Sequence, residues 1–186
     1  MTYEFGGVPY TLEALRGEDI TELQSFLETH STDDLQDRFG DRASRDIAVL
    51  CCTGVGRFDT AYFVLKSKGG AIVAFCSVDM HILPGDTSRL IAYGRKINRY
   101  TRDEYCRLSL TVGPRYRRKG MGRALFWAMV AFSQAGGKKY MIVGDGVCSE
   151  NMAGCGYCKS MGFKGLGKFS DLTGKSRVDG ILPLYK

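Results

Sequence analysis

A short glycine-containing, basic segment follows an alternating strand pattern and leads into an apolar helical pattern. At the start of such a helix, backbone N–H groups have no intrahelical acceptor and lie at the positive end of the helix dipole. Glycines let an anion approach this backbone closely. The segment therefore predicts a site for a diphosphate-bearing ligand. The residues that we expect to form it are Arg117, Arg118, Lys119, Gly120, Met121, Gly122 and Arg123.

The spacing of the segment excludes two common phosphate loops. It lacks the Gly-x-x-x-x-Gly-Lys-Ser/Thr of a Walker loop and the Gly-x-Gly-x-x-Gly of a dinucleotide fingerprint. The pattern is instead Arg117-x-x-Gly120-x-Gly122 after a strand that ends at Val112. This resembles the acetyl-CoA pyrophosphate signature of the GNAT superfamily of N-acetyltransferases. A second segment, from Asn151 to the Gly-Phe at 162–163, resembles a later helix of the same family.

The resemblance implies roles for individual residues. Backbone groups of the strand at Leu110, Thr111 and Val112 would bind the thioester carbonyl and the pantetheine amides, and Asn151 would contact the pantetheine arm or order the helix start. Many members carry a tyrosine four residues before the glycine of Gly-Phe, where its hydroxyl protonates the departing thiolate.

The chain departs from the family at that tyrosine. Cys158 occupies the family position and Tyr157 lies one step earlier, which is about 100° of helix rotation. We expect Tyr157 to be the general acid through a local distortion of the helix, which Gly154 and Gly156 would allow. Cys158 and solvent are the alternatives.

Three residues are candidates for the general base that deprotonates the amine. Glu104 comes first, because the family often places a glutamate on this strand, and we expect Glu104 to begin the strand. Asp145 follows the next strand directly. His81 has an ordinary pKa suited to the task.

The predicted elements agree with the GNAT arrangement: an α/β (α+β) fold with a mixed, mostly antiparallel sheet, a central parallel pair of splayed strands and flanking helices. Hydrophobic periodicity and turn residues predict the individual helices and strands. Strands are expected at 10–12, 61–65, 71–78, 104–112, 140–143, 163–169 and 178–185, and helices around 20–27, from 32, at 120–134 and at 151–161.

Length and composition indicate a single globular domain over residues 1–186, with 44% hydrophobic and 25% charged residues. No signal peptide and no apolar run of bilayer length is recognisable. Seven cysteines, an odd number, favour free thiols in a reducing cytoplasm. Cys155-x-x-Cys158 has no second pair, so no metal is expected. The net charge of +6 does not favour nucleic acid, because the aromatic residues do not interleave with the basic ones.

The resemblance implies an acyltransferase that moves an acetyl group from acetyl-CoA to a primary amine by direct attack in a ternary complex. A catalytically silent acyl-CoA-binding module is the alternative. The expected protein is a cytoplasmic monomer or homodimer without membrane partners. The segment 80–103 would shape the acceptor pocket, and its basic rim suits an acceptor with a carboxylate or phosphate, such as an amino acid or a protein terminus. The rim residues are Arg89, Arg95, Lys96, Arg99 and Arg102, set against Asp86 and Asp103.

Overall fold

The computed structural model describes residues 1–40, 42–55, 59–98 and 100–185. The strands are β1 (Thr2–Phe5), β2 (Val8–Ala14), β3 (Thr60–Ser67), β4 (Ile72–Asp79), β5 (Tyr105–Val112), β6 (Tyr140–Val143), β7 (Val147–Cys148), β8 (Lys164–Ser170) and β9 (Ser176–Pro183). The helices are α1 (Ile20–Leu27), α2 (Thr32–Phe39), α3 (Ser44–Thr53), α4 (Pro84–Ala92), α5 (Met121–Ala135) and α6 (Met152–Ser160). The chain forms two compact units, and β4, β5 and α5 contribute residues to both.

The first unit comprises Met1–Ser77 and Leu110–Ala128. Its strands follow the order β1-β2-β3-β4-β5. Helices α1 and α3 place apolar side chains in its core, among them Leu23, Phe26 and Ile47, together with Val64 and Phe75 of the strands. The Ser31 hydroxyl caps α2 by accepting the Asp34 N–H at 3.2 Å.

The second unit comprises Val78–Ser109 and the chain from Met129 onward. Strands β5 and β6 run parallel, in a register from Tyr105 opposite Tyr140 to Leu108 opposite Val143. β9 pairs antiparallel with β6, β7 and β8. The sheet is therefore mixed and mostly antiparallel, with the parallel pair where the sequence predicted it.

Four elements of the structure are not predicted by the sequence analysis: β1, α3, α4 and the two-residue β7. Helix α4 occupies part of the segment expected as a long pocket-shaping loop. Pro84 begins it, and the Asp86 carboxylate closes its first turn by accepting the Leu83 N–H at 3.0 Å. Helix α3 buries Ile47, Ala48, Cys51 and Cys52, a stripe on one side of a helix that the adjacent cysteines obscured.

Candidate active site

The end of β5 turns sharply at Gly113. Its N–H donates to the Val73 carbonyl at 2.9 Å. A Cβ at this position would lie 3.2 Å from that carbonyl oxygen and 3.3 Å from the Tyr116 ring. The space admits only glycine without displacement of a neighbour, so the chain can leave the strand here and enter the turn Pro114–Tyr116.

The loop then enters α5 through two residues with left-handed backbone conformation. Arg118 has φ of 62° and Gly120 has φ of 87°. The Gly120 carbonyl accepts the Ala124 N–H at 3.1 Å as α5 begins. The first turn of α5 therefore begins on the exposed backbone of Gly120. The glycine turn and the helix start that the sequence predicted are therefore present, and helix starts of this kind can bind anions.

The basic side chains of the loop differ in what they contact. The Arg117 guanidinium pairs with Asp34 of α2 at 2.9 Å and donates to the Val112 carbonyl at 3.3 Å. Burial alone would raise the pKa of Asp34, but the hydrogen bond and charge of Arg117, with contributions from His30 and Ser31, lower it overall. Arg117 therefore joins the loop to α2, and its charge is partly offset. Arg118, Lys119 and Arg123 are exposed.

A row of aromatic rings that begins at Phe5 of β1 lies beside the loop. A Cβ on Gly120 would be 3.7 Å from the Phe5 ring. Phe5 contacts Tyr10, with ring centroids 5.8 Å apart, and Tyr10 contacts Tyr116 edge-on at 6.4 Å. Lys119 lies 5.5 Å from the Tyr116 ring centroid. These rings support one side of the turn that leads into α5.

Glu104 is not the first residue of the central strand, which corrects the sequence expectation. It closes a short 3-10 turn, Arg102–Glu104, and β5 begins at Tyr105. Its carboxylate lies 2.6 Å from Lys139 Nζ, and this hydrogen bond raises the pKa of Lys139. The Lys139 N–H donates to the Glu104 carbonyl at 2.7 Å, which anchors this turn.

The other two candidate bases also have charged neighbours. Asp145 lies in the turn after β6 with φ of 55°, and its Oδ2 is 2.9 Å from Arg107 Nη2. His81 Nδ1 lies 3.4 Å from Asp103 Oδ1. Each of the three candidate bases thus lies next to an ionisable side chain. The partners are Lys139 for Glu104, Arg107 for Asp145 and Asp103 for His81.

Arg107 is a central feature of the second unit that the sequence reading missed. It is only 7% exposed, in the middle of β5. Its guanidinium reaches three carboxylates on three elements: Asp79 at 3.1 Å, Asp86 at 2.9 Å and Asp145 at 2.9 Å. A lone basic residue in a strand pattern gives no local signal of such a cluster.

Much of the basic rim expected around the acceptor is engaged within the second unit. Arg89 bonds Asp86 at 2.6 Å and Asp179 at 2.8 Å. Arg102 donates twice to the Ile82 carbonyl, at 2.7 and 3.2 Å. Arg99 lies outside the described residues. The charges of Arg89 and Arg102 therefore hold the fold, and they do not by themselves define an anionic acceptor.

Helix α6 carries the candidate general acids. Asn151 caps it, with Oδ1 accepting the Gly154 N–H at 2.8 Å, and Gly162 follows its end with φ of 94°. The helix is regular across both of its glycines. The half-buried side chains of Tyr157 and Cys158 therefore leave it about 100° apart.

The cysteines in the described part of the chain are free thiols. Within that part, no group of three or more His, Cys, Asp or Glu side chains is placed to hold a metal ion. Burial raises the pKa of the Cys51 thiol to about 12 and that of Cys106 to about 11. No helix in the described ranges is long and apolar enough to cross a bilayer.

Residues 21–163 match the acetyltransferase (GNAT) family, which covers more than half of the chain. The chain belongs to this family and is an N-acetyltransferase enzyme, as the motif predicted. No curated protein is similar enough in sequence to count as a relative.

Solved structures share the fold at low sequence identity. The GNAT domain of PAT from S. lividans is 18% identical, with a TM-score of 0.72 over 98% of this chain and 96% of that one. The protein yncA from Salmonella typhimurium, solved with its cofactor acetyl-CoA, is 16% identical, with a TM-score of 0.67 over 95% of each chain. A chimera of the spermidine N-acetyltransferase SpeG from Vibrio cholerae and hSSAT is 13% identical, with a TM-score of 0.67 over 94% and 95%.

Proposed function

We propose that the protein transfers the acetyl group of acetyl-CoA to a primary amine by direct attack of the amine on the thioester. The observation that carries the proposal is the left-handed turn at Arg118 and Gly120, which begins α5 on exposed backbone. Amide groups of 117–123 bind the diphosphate, and the exposed charges of Arg118, Lys119 and Arg123 attract it.

The thioester end of the ligand is assigned to the end of β5. Backbone N–H groups of Leu110–Val112 stabilise the oxyanion that forms on the carbonyl, and they also bind the pantetheine amides. Asn151 caps the start of α6, which is one of the two roles that the resemblance gives it, and contact with the pantetheine arm is the other. Tyr157 supplies the proton that the departing thiolate takes up, with Cys158 as the alternative.

The acceptor is a primary amine of a small molecule, an amino acid, a protein terminus or a lysine side chain. An alkyl ammonium has a pKa of roughly 10 and must lose a proton before it attacks. Glu104, the leading candidate for that step, is in contact with Lys139, which weakens the case for it.

Calorimetry with CoA tests the phosphate loop. Gly120→Asp should reduce the affinity at least about 100-fold, because a carboxylate would lie where the diphosphate binds and φ of 87° strains any residue with a Cβ. Gly174→Asp is the matched control, since Gly174 has φ of 81° and open space around it. This control adds the same charge and similar strain away from the loop and should bind CoA like the wild type.

Two results would decide against the proposal. Equal CoA affinity in folded Gly120→Asp and Gly174→Asp proteins would refute the phosphate loop. CoA binding without thiol release from acetyl-CoA, across spermidine, free amino acids and an alanyl peptide at neutral pH, would indicate a silent acyl-CoA-binding module.

A further inference from the structure

His30 lies between α1 and α2 and connects the end of α1 to β5. Its ring packs edge-on against Phe26, with centroids 4.8 Å apart. Nδ1 is 3.1 Å from the Phe26 carbonyl oxygen and 3.3 Å from Thr29 Oγ1. Nε2 is 3.2 Å from Oγ1 of Thr111. Both ring nitrogens of this half-buried imidazole are therefore held by the fold.

The partners of the ring determine which nitrogen carries the proton. A carbonyl oxygen only accepts, so Nδ1 donates to Phe26. The Thr29 hydroxyl gives its own hydrogen to the same carbonyl at 2.7 Å, and it therefore also presents a lone pair to Nδ1. In the neutral ring, Nε2 is then the unprotonated nitrogen, and its lone pair accepts the Thr111 hydroxyl.

Thr111 is the middle residue of the segment assigned to the thioester. It is buried, one residue from both Leu110 and Val112. A hydroxyl that donates to an imidazole lone pair can pass its proton to the ring while it takes a proton from a third group. The Thr111 hydroxyl and the His30 imidazole thus form a path for a proton from β5 to the end of α1.

We propose that His30 accepts the proton of the attacking amine through the hydroxyl of Thr111. The inference rests on the proposed function. As the amine nitrogen bonds to the carbonyl carbon, its N–H bond breaks and an O–H bond forms on Thr111, whose former proton moves to Nε2. The C–S bond then breaks, the thiolate takes a proton from the general acid or water, and the imidazolium returns its proton to solvent.

The charges around His30 favour this step. Asp34 on α2 acts on the imidazole, and the low pKa of this carboxyl keeps it anionic at neutral pH. The carboxylate stabilises the imidazolium as it forms. The negative end of the α1 dipole, at the Phe26 carbonyl, acts in the same direction. Arg117 opposes the step, but its guanidinium is paired with Asp34 at 2.9 Å, so its charge is partly offset.

The test uses a matched set of three variants of the full chain. Thr111→Val removes the hydroxyl and keeps the shape, while Thr111→Ser keeps the hydroxyl. His30→Gln keeps a hydrogen-bonding group near Nε2 that cannot take a proton at neutral pH. Steady-state transfer from acetyl-CoA to the best amine of the panel is measured by thiol release, and CoA affinity is measured by calorimetry.

His30→Gln and Thr111→Val should each lower kcat about 100-fold or more, the usual scale for a positioned proton acceptor, with CoA affinity within about threefold of wild type. Thr111→Ser should stay within about fivefold. At saturating amine, the wild-type kcat should fall at low pH as the imidazole protonates, and His30→Gln should lack this limb.

Failures of the two proposals are distinguishable. A wild type that binds no CoA or acetylates no amine would overturn the proposed function. An active wild type whose His30→Gln variant keeps both full kcat and the acidic limb would overturn the role of His30 alone. Loss in Thr111→Ser equal to that in Thr111→Val, at unchanged CoA affinity, would overturn the proton path through the hydroxyl.

Discussion

Replacement of Arg107 by methionine should destabilise the protein strongly, because it removes one of the two counter-ions of the buried Asp86 carboxylate. Methionine approximates the length of the arginine stem but carries no charge. Three carboxylates lose a partner in this change, and they differ in exposure. The side chain of Asp86 is 1% exposed, that of Asp79 is 30% exposed and that of Asp145 is 67% exposed.

The magnitude follows from these exposures. Exposed ion pairs are worth about 0–1 kcal/mol, so loss of the Asp145 contact contributes little. Breaking a buried pair typically costs about 3–5 kcal/mol. Asp86 keeps Arg89 at 2.6 Å and the Leu83 N–H at 3.0 Å, which favours the lower end of that range. We expect a loss of about 3 kcal/mol, and at this chain length a Tm lower by about 6–12 °C.

Thermal unfolding monitored by circular dichroism measures the effect, with two companion variants. Asp145→Asn alone should change the Tm by no more than a few degrees. Asp86→Asn should recover part of the loss when it is added to Arg107→Met, because the amide removes the buried charge and still accepts the Leu83 N–H. A Tm for Arg107→Met equal to wild type, or a further loss on adding Asp86→Asn, would refute this electrostatic account.

Two further predictions concern the general acid Tyr157 and the ion pair between Asp34 and Arg117 of the phosphate loop. Tyr157→Phe should lower kcat about 100-fold with little change in the KM for acetyl-CoA, whereas an equal loss in Cys158→Ala with a silent Tyr157→Phe would move the role to the thiol. The folded pKa of Asp34 lies below its ordinary 3.8, so the stabilisation from its pair with Arg117 is present above that value and is lost as the pH falls through the folded pKa. Asp34→Asn should remove this component from the acid dependence of the Tm below about pH 5, and identical curves would contradict it.

The local elements could be predicted from the sequence because their signals lie within a few residues. Helix α1 at Ile20–Leu27 and strand β6 at Tyr140–Val143 match the predicted ranges 20–27 and 140–143. The glycine spacing at 120–122 likewise indicated the helix start and the family, because both depend on residue types within one short segment. Elements without clear periodicity, such as α3 and α4, were not recognised.

The chemistry of the candidate site depended on contacts between residues distant in sequence. Thr111 and His30 are 81 residues apart, and Arg117 and Asp34 are 83 apart. The pair of Glu104 with Lys139 spans 35 residues and altered the expected role of that glutamate. Residue type and spacing determine which segment can form a helix start or bind a phosphate. Which proton acceptor faces which strand, and which charge is already neutralised, depends on the packing of distant segments, because Coulomb and hydrogen-bond energies are set by distances that only the tertiary structure fixes.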